Sequence, residues 1–496
     1  MTFRPSALAA TAAALVLALA ACSQRPVQQP PRRGIGEGSP VFTQLLADAD
    51  KAIADGKLAE AGGMLDEARG LAPESPDLWL AIARLRLRGG EHLTALEATD
   101  RALAFGPAHA PALRLRGLMV RDAHGAADSL PWFEAALKVA PEDPDTLADY
   151  AATLGDAGEA SASLKAARML AEVAPQDQRA LYLQAVIAAR GRQFSIARSL
   201  LEKSGMAARG VPAAQLLEAV ISLEEGNADS AAEMLEGLVD RQPANVRFRE
   251  LLARAIYLGG RDAELVRRFG PEASLPEASP YLLMLVARAH ERLGNRAAAA
   301  PLLARAYAPL RQGPVLLALR DNMPAPTNAV RRALWNGNGA GARTVALDLR
   351  KRIPASADVA ALAGDAFLGA GDPRAALTAY ALASEARRPW PLTRKASWTF
   401  AQHGNAAAAE MLLARQVGGE TENASALTWL ARRQAVRGDW GRTALLLDHA
   451  LSLGAGHDPA LMDLRLKAAR EAGDEPAAAR FAALLAELHP RSLTAY

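Results

Sequence analysis

The sequence has little of several things that common folds and functions need. Its 496 residues include one cysteine, Cys22, so no disulfide bond can form within the chain and a cysteine-based zinc site is disfavoured. Aromatic residues make up 5% of the chain, which disfavours β-sheet cores. The formal net charge is +3 and no block of basic residues occurs, so the charged patch typical of nucleic-acid-binding proteins is missing.

Signatures of catalysis and metal binding are also missing. None of the histidines forms a metal-spaced pair on one helix, and His290-Glu291 is not followed by the second histidine of a zinc-protease motif. The glycine-rich run from Gly337 to Gly341 has no phosphate-loop lysine. We therefore predict that the protein is not an enzyme and binds no metal or cofactor. Hydrophobic residues are abundant, at 50%, and alanine dominates them, which favours closely packed helices.

The N-terminus has the organisation of a bacterial signal peptide. Arg4 supplies a positive charge, and residues 7–18 form an apolar stretch too short for a comfortable membrane span. The stretch ends in Leu19-Ala20-Ala21-Cys22, which resembles the lipobox of bacterial lipoproteins. The resemblance implies that residues 1–21 are removed and that Cys22 carries the lipid anchor. The alternative is an ordinary secretory signal followed by a chance cysteine.

The residues after Cys22 bear on localisation. Ser23 stands where an aspartate acts as an inner-membrane retention signal in some bacteria, so the resemblance implies an outer-membrane anchor on the periplasmic face. Inner-membrane anchoring stays open, because sorting rules differ between bacterial groups. Residues 22–41 are polar and rich in proline, and we predict that they form a disordered tether.

A 34-residue period runs through the rest of the chain. Prolines recur at this spacing, and glycines recur half a period from them. The prolines are Pro73, Pro107, Pro141, Pro175 and Pro243, and the glycines are Gly56, Gly90, Gly158, Gly226, Gly260 and Gly294. The glycine series skips His124, with Gly125 beside it, and Arg192, with Gly191 beside it. We expect the glycines to occupy the turn inside a helix pair and the prolines to end its second helix.

Small residues mark two further positions of the period. The first series is Ala49, Ala83, Gly117, Ala151, Ala185, Ala219, Ala253 and Ala287, and the second is Ala61, Ala95, Ser129, Ser163, Ala197, Ala231 and Ala299. This pattern resembles the tetratricopeptide repeat (TPR), whose helix pair has small residues at two fixed positions and proline near its end. The resemblance implies an all-α fold, an α-α superhelical solenoid of about 13 helix pairs.

The period divides the chain. We predict a first array of about eight repeats at 42–313, an irregular insertion at 314–327, a second array of about five repeats at 328–492, and a tail at 493–496. The insertion is either a kink or a domain boundary.

In the TPR family the first helix of each pair lines a concave groove. The groove positions of this sequence carry arginines with scattered aromatic residues. The candidate groove residues are Arg84, Arg88, Arg121, Arg190, Arg254, Arg288, Arg292, Tyr182, Tyr257, Tyr281 and Trp398, together with Arg114, Arg179, Arg247, Arg394 and Arg432. Arginine pairs well with carboxylates, so we expect proteins or peptide segments, in particular acidic ones, as partners. The alternative is that these arginines pair with Asp77, Asp122, Glu250 and Glu291 and form ordinary solvated surface.

Two functions fit these features. The first is an envelope-anchored scaffold that binds partner proteins and assists assembly of a secretion, pilus or exopolysaccharide export system. The second is an accessory protein that binds an anionic polysaccharide in the groove, which the scarcity of aromatic residues disfavours. Neither the partner nor the oligomeric state can be read from the sequence.

Overall fold

The computed structural model describes residues 38–243, 245–275, 278–307, 325–453, 455 and 458–488. The predictions for the signal peptide, Cys22, most of the tether, most of the insertion and the tail concern residues outside these ranges. Within them the regular elements are 26 α-helices and no strand. The helices are α1 Pro40–Ala54, α2 Leu58–Leu71, α3 Pro76–Arg88, α4 His92–Phe105, α5 Ala110–His124, α6 Ala126–Val139, α7 Pro144–Asp156, α8 Ala160–Val173, α9 Arg179–Arg190, α10 Phe194–Ser204, α11 Pro212–Glu224, α12 Ala228–Arg241, α13 Val246–Leu258, α14 Asp262–Ser274, α15 Pro280–Arg292, α16 Arg296–Tyr307, α17 Ala325–Trp335, α18 Gly339–Arg352, α19 Ala357–Gly369, α20 Pro373–Ala386, α21 Trp390–Gln402, α22 Ala406–Gly419, α23 Ala424–Val436, α24 Trp440–Ser452, α25 Pro459–Glu471 and α26 Glu475–Leu488.

The described residues form two compact units, one of residues 38–89 and 97–109 and one of residues 90–96 and 110–488. In each unit, consecutive helices pack as hairpins and neighbouring hairpins stack. Eight helix pairs precede the undescribed segment 308–324 and five follow it. The predicted all-α solenoid of about 13 helix pairs is confirmed. The predicted boundary at 314–327 stays a prediction, because most of it lies outside the described residues.

The periodic prolines and glycines mark the helix ends as the sequence predicts. In each of the five repeats with an in-phase proline, the second helix ends two residues before it, as α2 ends at Leu71 before Pro73. The turn glycines take the left-handed conformation, in which a side chain is strained. At the regular turn position their φ angles lie between +70° and +86°, and Gly125, one position further on, has a φ of +100°.

Arg192 occupies the turn position that glycine fills in most other repeats. Its φ is +57°, and it is the one non-glycine residue with positive φ in the described part of the chain. The side chain is exposed and lies 3.9 Å from the carboxylate of Glu224, too far for a strong ion pair to offset the backbone strain. The period therefore imposes the left-handed turn on this residue despite its side chain.

The two series of small residues form the seams between helices. Every member of both series is buried, and nearly all are fully inaccessible to solvent. At Gly117 a Cβ atom would lie 3.1 Å from the ring of Phe133, tighter than ordinary packing allows. Leucine and phenylalanine side chains such as Phe133, Leu147 and Leu252 fill the space that these close approaches leave. None of the helices in the described ranges is long and apolar enough to span a membrane.

Replacing Arg192 by glycine should stabilise the protein. The change removes a left-handed backbone strain of about 1–2 kcal/mol per residue and adds a glycine entropy cost of about 0.5–1 kcal/mol. We expect the free energy of unfolding to rise by about 0.5–1 kcal/mol, measured by urea denaturation with circular dichroism. Gly226→Ala is the matched control, because no atom would contact its Cβ and only the backbone conformation opposes it. It should destabilise the protein, and equal effects of the two changes would contradict this account.

Candidate functional site

Half of the candidate groove arginines form ion pairs with carboxylates about one repeat away. We call the set in which each side chain bonds an acid 30–35 residues distant the arginine ladder. Its pairs are Arg84 with Asp50, Arg114 with Asp149 and Asp145, Arg179 with Asp145, Arg190 with Asp156, Arg254 with Glu224, and Arg292 with Asp262. The ladder joins neighbouring repeats, which explains part of the arginine content without any partner protein.

The alternative prediction named Asp77, Asp122, Glu250 and Glu291 as ion-pair partners of the candidate arginines, and it is wrong for most of them. Only Glu291 pairs with a candidate arginine, Arg288, at 2.8 Å. Asp77 accepts a hydrogen bond from His109 at 2.9 Å, which holds the pKa of this carboxyl below its usual value. Glu250 accepts one from the Ser279 hydroxyl, and burial raises the pKa of Glu250. The acids of the arginine ladder lie one repeat away from their arginines. The sequence analysis did not predict this offset.

Five candidate arginines have no carboxylate partner among the described residues, and three of them lie at the surface of the array or line a cavity. These three are Arg88, Arg121 and Arg247, of which Arg121 reaches only the Thr153 hydroxyl at 3.4 Å. The other two, Arg394 and Arg432, have partly buried side chains. Burial lowers the pKa of both guanidinium groups, and Arg394 lies over the ring of Trp429.

The candidate aromatic residues are partly buried between repeats. Burial raises the pKa of Tyr281 to about 12 and also raises the pKa of Tyr182. The Arg292 guanidinium lies 3.9 Å from the centroid of the Tyr257 ring, within the range of a cation–π contact. The indole N–H of Trp398 is buried and has no hydrogen-bond partner among the described residues. These rings therefore contribute to packing between repeats.

The second array contacts the first at a place that the sequence did not indicate. We call this contact the junction. The turn between α5 and α6 meets the segment before α21 and the end of α22, and the backbones touch at Gly125 and Gly419. A Cβ atom on Gly125 would overlap the Cα of Gly419, and one on Gly419 would overlap the carbonyl oxygen of His124. Only glycine at both positions permits this approach.

Arg388 stabilises the junction by hydrogen bonds to backbone carbonyl groups of the first array. Its amide donates to the carbonyl of Asp122 at 2.9 Å, and its Nη2 donates to the carbonyl of His124 at 3.1 Å. Arg415 donates to Nδ1 of His124 at 2.6 Å. Burial, together with Arg415 and Arg388, lowers the pKa of His124, which fits a neutral ring that accepts this bond.

A cavity of about 890 Å³ opens beside the junction. Its lining includes Arg121, Arg190 and Arg247, which the sequence analysis proposed, and it also includes Arg387 and Arg388, which that analysis missed. Arg190 bridges the two arrays, because it pairs with Asp156 of α7 at 3.1 Å and with Glu422, just before α23, at 3.2 Å. The cavity thus collects arginines from distant parts of the chain.

The missed residues left a weak signal in the sequence. Gly125 stands one position past the regular glycine phase, and Gly418-Gly419 ends a helix where other repeats have no glycine pair. Arg387-Arg388-Pro389 occupies the linker between two repeats. These departures from the period mark unusual turns, but a repeat pattern holds no information on which distant turns meet.

The second array also buries a charged cluster. Asp365 accepts from Lys395 at 2.6 Å and from the Tyr380 hydroxyl at 2.8 Å, and all three side chains are buried. Arg331 is buried nearby, and burial lowers its pKa whereas Asp365 opposes the shift. One carboxylate thus faces two buried cations.

The repeat geometry decides the fold. Helix pairs recur every 34 residues with buried small residues at the two fixed positions and left-handed turns between their helices. The fold is a tetratricopeptide-type solenoid. No family model matches the chain, and no curated protein matches it.

Solved structures of TPR proteins resemble parts of the solenoid. PilF of Pseudomonas aeruginosa shares 16% identity over 43% of this chain and 97% of its own, with a TM-score of 0.36. A TPR protein of Parabacteroides merdae shares 17% identity over 54% of this chain and 93% of its own, with a TM-score of 0.27. YrrB, described as a TPR protein with an unusual peptide-binding site, shares 21% identity over 37% of this chain and 94% of its own, with a TM-score of 0.28.

Asp365 should be the most sensitive member of the buried cluster. Asp365→Asn leaves Lys395 and Arg331 without a compensating charge, so we expect a loss of about 3–5 kcal/mol in the free energy of unfolding. Lys395→Met should cost less, because Arg331 still balances the carboxylate. The matched control is Asp348→Asn in the exposed pair with Arg352, which should cost at most about 1 kcal/mol. Chemical denaturation measures all three, and a larger loss in Lys395→Met than in Asp365→Asn would refute the charge balance.

Proposed function

We propose that this protein is an envelope-anchored scaffold that binds segments of partner proteins and has no catalytic role. The observation that carries the proposal is the make-up of the described chain, which consists of stacked helix pairs with arginines and partly buried aromatic residues on their first helices. Such arrays offer a long surface assembled from repeated units, which suits recognition of extended segments. The sequence features at residues 19–22 support anchoring through Cys22 at the periplasmic face of the outer membrane.

The chemistry of the surface favours a peptide with carboxylates. Arg254 lies on α13, and Arg288 and Arg292 lie on α15, the first helix of the next pair. Each already bonds one acid with part of its guanidinium. Arginine has five N–H donors, so a single carboxylate leaves donors for a ligand. A partner's carboxylates can add to these pairs or replace them. We propose that the scaffold assists assembly of a secretion, pilus or exopolysaccharide export system.

Charge reversal of Arg254, Arg288 and Arg292 to glutamate should abolish capture of the main partner. The reversed side chains repel acidic ligands and the ladder acids alike. The measurement is co-purification of the full-length chain from detergent-solubilised envelopes after mild crosslinking, with mass spectrometry of the partners. The matched control reverses three exposed, ion-paired arginines away from these helices, Arg352, Arg437 and Arg442.

Circular dichroism must show that both triple variants stay folded. Unchanged capture by the Arg254/Arg288/Arg292 variant would reject these residues as the binding surface. Retention of an anionic glycan in place of any protein would favour the polysaccharide-binding function. Glycan binding should also collapse as the salt concentration rises, whereas a peptide held by apolar anchors should tolerate salt better.

The lipid anchor has a direct test. Cys22→Ser should abolish incorporation of an alkyne-labelled palmitate, because the thiol is the acceptor of the lipid. Ser23→Ala should leave incorporation unchanged and serves as the control. Ser23→Asp should retain the label but move the protein to inner-membrane fractions in hosts that use the aspartate signal. Palmitate incorporation in the Cys22→Ser variant would contradict the anchor.

A further inference from the structure

The cavity beside the junction has the features of a binding site that only the docked arrays can form. We propose that it binds a carboxylate-bearing peptide segment in which an acidic residue is flanked by an aliphatic one. The inference rests on the proposed peptide-binding function and adds a specific place for it, away from Arg254, Arg288 and Arg292. Four observations support it: the unsatisfied donors of Arg388, the lining arginines without an ion pair, the adjoining apolar cavity and the contact of Gly125 with Gly419.

The first observation concerns the hydrogen-bond donors of the Arg388 side chain. The side chain is 6% exposed, lines the cavity, and uses Nη2 on the carbonyl of His124. Its Nε and Nη1 are buried and have no hydrogen-bond partner among the described residues. A buried guanidinium with unsatisfied donors is costly, and burial together with Arg415 lowers its pKa. A carboxylate that reached these donors would relieve that cost.

The second observation is that several arginines lining the cavity have no ion pair, which favours an anionic ligand. Five arginines line the cavity, against the four carboxylates of Asp122, Asp156, Glu420 and Glu422. Arg190 uses Asp156 and Glu422, and Arg387 pairs outside the cavity with Asp358. Arg121, Arg247 and Arg388 are then left without an ion pair, whereas Glu420 is engaged by the side-chain amide of Asn423. A carboxylate ligand would give these arginines the ion pair that they lack.

The third observation is a second, mainly apolar cavity beside the first, which would accept an aliphatic side chain next to the acidic residue of the ligand. Its volume is about 720 Å³, and it shares Arg190 and Glu422 with the first cavity. Aliphatic side chains dominate its wall, among them Leu164, Ile187, Ile196 and Leu200. Ile196 is 50% exposed although it is hydrophobic. An acidic residue in the first cavity and an aliphatic residue in the second match this division into a charged and an apolar compartment.

The binding site depends on docking of the second array. Arg387, Arg388, Glu420 and Glu422 belong to the second array, whereas Arg121, Arg190 and Arg247 belong to the first. The approach is set by the contact of Gly125 with Gly419, which leaves no room for a Cβ atom. A substitution at Gly419 should therefore separate the two halves of the site without touching any of its charged residues.

The test uses the purified full-length chain and a short fluorescein-labelled peptide of alternating glutamate and leucine, with binding followed by fluorescence anisotropy. Arg388→Gln should weaken binding about tenfold or more, as expected for loss of a charged hydrogen bond. Arg268→Gln is the matched control, because Arg268 pairs with Glu236 outside the cavity and its loss changes the net charge equally. It should bind as the unaltered protein does.

Gly419→Ala gives an independent readout. It should weaken peptide binding and also speed hydrogen exchange at the Arg388 amide, which donates to Asp122 across the junction. Peptide binding that is equal in the unaltered, Arg388→Gln and Gly419→Ala proteins would overturn the proposed site, as would Arg388-dependent binding of an anionic glycan but not of the peptide. Failure of the unaltered protein to bind the peptide, while it still captures envelope proteins, would reject this site and leave the scaffold function standing.

Discussion

Close approach of helix backbones at small residues is the constraint on which the rest of the structure depends. Alanine, glycine or serine occupies two buried positions in most of the 34-residue periods of the first array, which lets the helices approach closely. Because the helices come so near, the surface side chains of one repeat reach those of the next. The arginine ladder is a consequence of this spacing, since each of its ion pairs joins residues about one repeat apart.

The repeat pattern made the fold predictable, because each helix pair is specified by local signals. In-phase prolines and left-handed glycines end helices through backbone geometry alone, and the buried small residues fall where the period puts them. Even Arg192 adopts the conformation that its position requires. The ion-pair partners were predicted poorly, because pairing depends on the offset between stacked helices and on side-chain reach.

The junction could not be predicted, for a different physical reason. A repeat period describes contacts between neighbours, whereas Gly125 and Gly419 meet across many repeats. The contact depends on two turns that depart from the period and on Arg388 in a linker. Irregular positions in an otherwise regular array are therefore where distant contacts and binding sites should be sought. The candidate arginines Arg121, Arg190 and Arg247 line a cavity together with residues of the second array.

The central claim is that the two arrays dock at the glycine contact and so complete a binding surface. Its most direct test is the distance between spin labels on Lys138 of the first array and Met411 of the second, each replaced by cysteine in a chain that carries Cys22→Ser. Both side chains are exposed, so the labels should not disturb packing. Docking predicts one narrow distance distribution that broadens when Gly419 is also replaced by alanine. A broad distribution in the protein with Gly419 intact would contradict the claim.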